Sequence, residues 1–378
     1  MFRTRIAPTL LAIVGLAAAP IPSRAEGAWT IETVESALLA AGTSLALDAA
    51  GAPRMAYNSG AQPRYARRDA GGWTTESLLT PPAPADAAGS SGEISGVQLI
   101  YYVVPSLALD PVTALPRIAY GKSPENDVWY AERSAAGWVY ERLSTIGFNP
   151  SLALDPQSRP HVGYREFPAG MIYAVRDGGT WGFEPIGAGV DSRSLRLDAQ
   201  GVPHLALSLD SPNSDLLYAS RDAGGWSFEA GDTSGSVGHA ASLALDGSGV
   251  PHISYFDATA HALRYATRSG GQWTVETVVA PIGDWCPNSL ALAPGGQPFI
   301  AFYDATAGDL RFARREAGVW SSGVVDSAGN VGDYCSLALD DQGRPHVGYY
   351  DTSDHIVRYA TRSAVVSVDP PPAAPGVG

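Results

Sequence analysis

Residues 242–279 read SLALDGSGVPHISYFDATAHALRYATRSGGQWTVETVV, and this stretch holds four short strand patterns separated by turns. The first, Ser242 to Asp246, sets an alanine between two leucines. A turn follows, and the segment from Pro251 to Asp257 is an apolar second strand. The third pattern carries Tyr265, Ala266 and Arg268, and Arg268 stands five residues before Trp273. That short interval, with its Gly270-Gly271 tip, reads as a hairpin into a fourth strand, Trp273 to Val279.

The same unit recurs along the chain. Its opening phrase starts at Ser44, Ser106, Ser151, Ser194, Ser242, Ser289 and Ser336, reading SLRLD in the fourth copy and SLALA in the sixth. Prolines at 53, 116, 160, 203, 251, 298 and 345 open the second strands, and an aromatic residue at 65, 130, 173, 218, 265, 312 or 359 marks each third. Four short strands per roughly 45 residues, with no helical periodicity, predict an all-β fold: a seven-bladed propeller of four-stranded antiparallel blades. Helical solenoids are excluded. Neighbouring blades cover both faces of each sheet, so the leucines of the first strands form an inner core ring contributing on the order of 20–40 kcal/mol gross. Trp29 to Val34 carries the fourth-strand pattern ahead of the first unit, whereas the last unit ends at residues 364–368 without its tryptophan. The N-terminal strand is therefore expected to complete blade seven and remove the exposed edge, with 364–368 as the competing segment.

Outside the repeat, Arg3 and Arg5 precede an uncharged stretch from Ile6 to Ser23 and a Ser23-Arg24-Ala25 cleavage pattern. Residues 1–25 read as a signal peptide, 26–368 as the propeller and 369–378 as a Pro-rich tail, which makes the protein secreted or periplasmic. No other segment is apolar enough to span a bilayer, and a monomer is expected. A formal charge of −13 argues against nucleic acid or anionic lipid as a partner, since both demand a basic face. With two cysteines, no CxxC and no Cys/His cluster, neither a metal site nor a cofactor is expected. Cys286 and Cys335 stand in the matching phrases Gly283-Asp-Trp-Cys and Gly332-Asp-Tyr-Cys of adjacent units, which suggests a disulfide worth about 3–4 kcal/mol.

Residues repeated in nearly every blade serve the blade. On that ground the arginines at 68, 133, 176, 221, 268, 315 and 362 and the glutamates at 32, 76, 141, 184, 229 and 276 are structural, with the arginines stacked on the hairpin tryptophans. His161, His204, His252 and His346 fill one repeated slot and are read the same way.

Specificity is sought in what does not repeat. Blades five to seven alone carry an aromatic pair and an aspartate after the second strand, ending at Asp257, Asp304 and Asp351. Loops entering the same blades add His239, Asp284-Trp285 and Asp333-Tyr334 on the same face, beside the central channel. Asp257, Trp285, Asp304, Tyr334, Asp351 and His239 are the candidate ligand-binding residues, because aromatic rings stack on sugar CH faces while carboxylates bond hydroxyls. A peptide groove remains open, as does the reading of these aspartates as turn formers. The long connection from Thr80 to Pro105 also falls on this face, either as a lid or as a tolerated insertion.

The SLALD, PHISYFD and LRYATR phrases resemble those of exported bacterial propellers near the sialidase-like and fucose-lectin-like families. The resemblance implies the fold and carries no site residue. The nearest approach to a sialidase Asp-box, Arg176 to Trp181, lacks its leading serine. The expected function is non-enzymatic recognition of a glycan or protein, with no catalytic residue assigned. A glycan-cleaving hydrolase or lyase is the alternative and would need two carboxylates converging from among Asp257, Asp284, Asp304, Asp333 and Asp351. A surface protein with no discrete site is the third reading.

Overall fold

The computed structural model describes residues 27–37, 40–60, 62–78, 104–122, 127–187, 190–209 and 214–362. Their strands form seven antiparallel sheets of four, and six of these take four consecutive strands each. The seventh is built from Val331–Leu339, Pro345–Asp351 and Ile356–Arg362, with Trp29–Ser36 on its outer edge. Trp29 pairs with Arg362 and Ile31 with Ala360, so the N-terminal strand closes the ring as the sequence predicts. The competing segment 364–368, the leader, the tail and the connection 80–103 lie outside the described residues.

Innermost strands touch one another in a closed circle around the axis. The core is not one mass but seven wedges, each between two neighbouring sheets. Of each leucine pair only the first is buried, from Leu195 and Leu243 at 0% exposure to Leu45 at 9%. The second, as at Leu197 and Leu245, is half-buried, so the inner ring contributes about 10–20 kcal/mol gross, half the sequence estimate.

Two belts outside the leucines tie each blade to the next. In the first, a fourth-strand tryptophan packs edge-to-face on the third-strand aromatic of the preceding blade, with centroids 5.2–5.7 Å apart, at all seven interfaces. Trp29 on Phe312 and Trp73 on Tyr359 complete the circle across the chain ends. In the second belt, arginines 68, 133, 176, 221, 268 and 315 pair with glutamates 32, 76, 141, 184, 229 and 276 of the preceding blade at 2.7–2.9 Å. The indole N–H groups of Trp73, Trp181, Trp273 and Trp320 donate to the same carboxylates. The repeated charges are thus structural as expected, but their principal partner is the neighbouring blade's glutamate. Stacking on tryptophan is confined to Arg133 and Arg362 among these described arginines.

The repeated histidines are equally internal. His161 and His346 each place Nδ1 2.5 Å from the hydroxyl of Tyr173 or Tyr359, and His204 and His252 pair with Tyr218 and Tyr265 in the same way. Nε2 faces the aspartate that closes the first strand, at 3.5–3.7 Å. Burial holds all four imidazoles below their ordinary pKa. Blade six discards this Asp-His-Tyr set as a unit, with Ala293, Phe299 and Phe312 in the three positions and the two phenylalanines stacked at 5.6 Å. Blades one and two substitute an arginine, and Arg54 and Arg117 bond Asp48 and Asp110.

Candidate functional site at the channel mouth

The inner strands line a cavity of about 370 Å³ on the axis, to which all seven blades contribute. Its wall is organised by the serine of the repeated phrase. Serines 44, 106, 151, 194, 242 and 289 each accept, through Oγ, the backbone N–H of the first leucine in the next blade, at 2.8–3.0 Å. The seventh junction, where the chain ends meet, differs. There Thr43 Oγ1 lies 3.0 Å from Ser336 Oγ and 2.9 Å from the carbonyl oxygens of Tyr334 and Gly348.

Just before this serine the register slips by a bulge, between Ala41 and Thr43, Phe148 and Ser151, His239 and Ser242, and Asp333 and Ser336. The residue two places ahead of the serine takes a left-handed backbone, with φ of +71° at Gly42, +54° at Asn149, +51° at Ala240 and +50° at Tyr334. Bulges of this kind re-aim a side chain. Here they leave Asn149, Ala240 and Tyr334 on the cavity wall, with Val104 and Pro287 at the matching places in blades two and six. Glycine is required at 42, where a Cβ would stand 2.6 Å from Val104 Cγ1. In a chain that otherwise repeats itself, this is the position that varies from blade to blade and faces the channel.

Two of the six ligand-binding candidates reach the cavity. Trp285, 37% exposed, and half-buried Tyr334 both line it. Asp257, Asp304 and Asp351 do not line it and are at most 4% exposed. Each caps the turn after its strand through Oδ1, which accepts two backbone N–H groups, at residues 259 and 260, 306 and 307, or 353 and 354. Through Oδ2 each meets a third-strand arginine, Arg264 at 2.7 Å, Arg311 at 2.9 Å and Arg358 at 2.6 Å. The adjoining rings are spent on packing too, and the hydroxyls of Tyr255 and Tyr349 donate to Asp232 and Asp326. His239 opens the inner strand of blade five but is absent from the cavity wall. Its Nε2 is 2.9 Å from Ser236 Oγ, and burial lowers its pKa. Asp284 is exposed and pairs with His261 at 3.0 Å. Asp333 accepts the N–H of Tyr334, and burial pushes its carboxyl up to about 6.

Cys286 and Cys335 are buried free thiols in this structure, so the expected bridge is not formed. Cys335 Sγ lies 3.8 Å from the carbonyl of Pro287, and burial raises both thiols well above their ordinary range. Among the described residues, no group of His, Cys, Asp and Glu is arranged to hold a metal ion, and no helix is long and apolar enough to cross a membrane.

One side chain of the wall escapes the sequence argument altogether. Arg196 occupies the middle of the SLRLD phrase, where alanine stands in the other six blades, and it lines the cavity. Its Nη1 donates to the carbonyl of Leu195 at 2.8 Å, and no described carboxylate lies within ion-pair range. In the sequence it is the one charge inside seven Leu-x-Leu phrases. Pockets between blades on the opposite face are occupied by the repeated networks. In the one between blades three and four, Arg159, Arg221 and His161 are already engaged with Asp155, Glu184 and Tyr173.

No protein-family model matches the chain, and no curated protein matches it in sequence. Solved structures do match in shape. A protein of unknown function from Dyadobacter fermentans aligns with 91% of this chain and all of its own, at 12% identity and a TM-score of 0.55. An ulvan lyase, representing a new family of polysaccharide lyases, aligns over 85% of this chain and 94% of its own, at 13% identity and a TM-score of 0.55. YCF48 bound to the D1 peptide aligns over 93% of this chain and 100% of its own, at 14% identity and a TM-score of 0.56. At such identities the likeness establishes the β-propeller fold, and function rests on the site.

Proposed function

We propose that the protein is an exported, non-enzymatic binding module that takes a glycan at the channel mouth, with Trp285 and Tyr334 as its aromatic platform. The observation that carries this is the make-up of the cavity. Two rings meet side-chain amides and hydroxyls in about 370 Å³, within the ~300–1,000 Å³ range of small-ligand sites, and no described carboxylate or imidazole lines the wall. Rings beside amides and hydroxyls suit a sugar's CH face and hydroxyl edge. Glycoside cleavage by paired carboxylates calls for two such groups flanking one bond, and Asp257, Asp304 and Asp351 are each held by an arginine and two turn amides. A polysaccharide lyase among the structures of similar shape is in keeping with a saccharide ligand for this scaffold.

Screening the purified protein on a glycan array, then titrating the best glycan by calorimetry, tests the reading. Each aromatic stack contributes about 0.5–1.5 kcal/mol, so Trp285→Ala and Tyr334→Ala should each weaken binding about 2- to 12-fold. Binding unchanged in the double variant would refute the channel mouth as the site.

A further inference from the structure

We infer that Arg196 makes the channel mouth selective for an acidic saccharide, binding the anionic group of a single sugar placed within the pore. The inference rests on the reading of the cavity as a glycan site and names the class of sugar. Charged side chains in enclosed places are as a rule paired, and those of this protein follow the rule. Arg54, Arg264, Arg311 and Arg358 are all matched by carboxylates of their own blade, and arginines of the outer belt by the neighbouring blade. Among the described residues Arg196 breaks it, at the position where the other six blades carry alanine. The nearest acid in sequence, Asp198, is committed elsewhere: Oδ1 accepts the N–H groups of Gln200 and Val202, and Oδ2 faces His204 at 3.5 Å. An enclosed guanidinium with no described counter-charge gains most from an anion that arrives with the ligand, and its planar fork of N–H donors fits a carboxylate or a sulfate ester.

The charge of the whole chain narrows the ligand further. At −13 the protein repels a polyanion laid across its outer surface, while an anionic group inside the pore meets Arg196 at short range. The occupant is therefore the acidic end of a chain or a short acidic oligosaccharide, entered end-on.

Calorimetric titration with methyl glucuronide, methyl glucoside and inorganic sulfate tests this. The wild-type protein should prefer the glucuronide at least tenfold over the glucoside, and raising sodium chloride from 20 to 500 mM should weaken only the glucuronide. Arg196→Gln should bring the ratio to near one with glucoside affinity within twofold, and Arg196→Lys should keep part of the preference. Equal wild-type binding of both sugars, still sensitive to Trp285→Ala, overturns the inference and leaves the glycan reading intact. Preference retained in Arg196→Gln overturns it as well. Sulfate matching the glucuronide overturns the saccharide assignment in favour of a free oxyanion. Circular dichroism checks the fold of each variant, and should one fail to fold, the wild-type ratio and its salt dependence still decide.

Discussion

Replacing Ser194 with alanine removes the acceptor that binds blade five to blade four. Its Oγ takes the Leu243 N–H at 2.8 Å, and the two residues are 2% and 0% exposed. A buried amide left without an acceptor costs about 1–3 kcal/mol. For a domain of this size, at about 2 °C per kcal/mol, the melting temperature should fall by roughly 2–6 °C. The chain supplies its own control in Ser336, which occupies the same repeat position but meets the Thr43 hydroxyl. In Ser336→Ala that hydroxyl still has two carbonyl oxygens at 2.9 Å, so no donor is stranded and the loss should be about 1 kcal/mol or less. Urea unfolding followed by tryptophan fluorescence, with differential scanning calorimetry alongside, measures both variants. If Ser194→Ala loses no more than Ser336→Ala, the serine belt does not hold the blades together in the way argued.

Converting blade five to the chemistry of blade six, by Asp246→Ala, His252→Phe and Tyr265→Phe together, should preserve folding and flatten the pH dependence of stability. The four buried histidines have folded pKa values below their ordinary 6.5, so the unfolded chain takes up their protons first and stability falls as pH drops below about 6.5. Removing one of the four should shrink the histidine part of the fall between pH 6.5 and 5 by about a quarter, seen as melting temperature against pH. Asp333 acts the opposite way: with its pKa raised to about 6, its contribution is lost as pH rises from about 4 to 6, so Asp333→Asn should steepen the acid loss in that window. A double-mutant cycle on Glu276 and Arg315, bonded at 2.8 Å but each about one-third exposed, should return a coupling of only about 0.5–1 kcal/mol. Arg196→Ala should leave the ligand-free protein as stable as the wild type or more so, measured by urea unfolding, because an enclosed charge without a described counter-charge gives way to the residue the other blades carry.

The blade count, the four-strand unit and closure by Trp29–Ser36 were all legible, because each depends on local patterns recurring at a fixed interval. The site was legible only in part. Trp285 and Tyr334 were found by their failure to repeat, and the same test picked Asp257, Asp304 and Asp351, which serve turns. Asymmetry in sequence cannot distinguish a residue freed for a ligand from one exchanged for another structural device, since which end of a buried side chain meets an arginine is a tertiary fact. The belts were misread for a related reason. Arg268 lies five residues before Trp273 in sequence, yet its carboxylate partner, Glu229, comes from the preceding blade. The partner of each repeated group therefore sits one unit away, at a different position of the repeat.

Closure also explains where variation is tolerated. The serine, the first leucine, the tryptophan and the glutamate each contact the adjacent blade, so a change at any of them disturbs an interface that the ring repeats. Blade six shows the rule from the other side: its aspartate, histidine and tyrosine positions are exchanged together, because they touch one another. Side chains at the bulge position line the cavity rather than a blade interface, except that Gly42 is fixed by Val104 of the next blade. The bulge position holds Gly42, Val104, Asn149, Ala240, Pro287 and Tyr334, and the middle of the Leu-x-Leu phrase holds alanine except at Arg196. Tyr334 accepts a left-handed backbone that costs about 1 kcal/mol in a non-glycine residue, and Arg196 places a charge where no described carboxylate meets it. Both side chains line the same cavity. Structural exchange accounts for the irregularities of the blades, while these two are the ones that the proposed ligand would use.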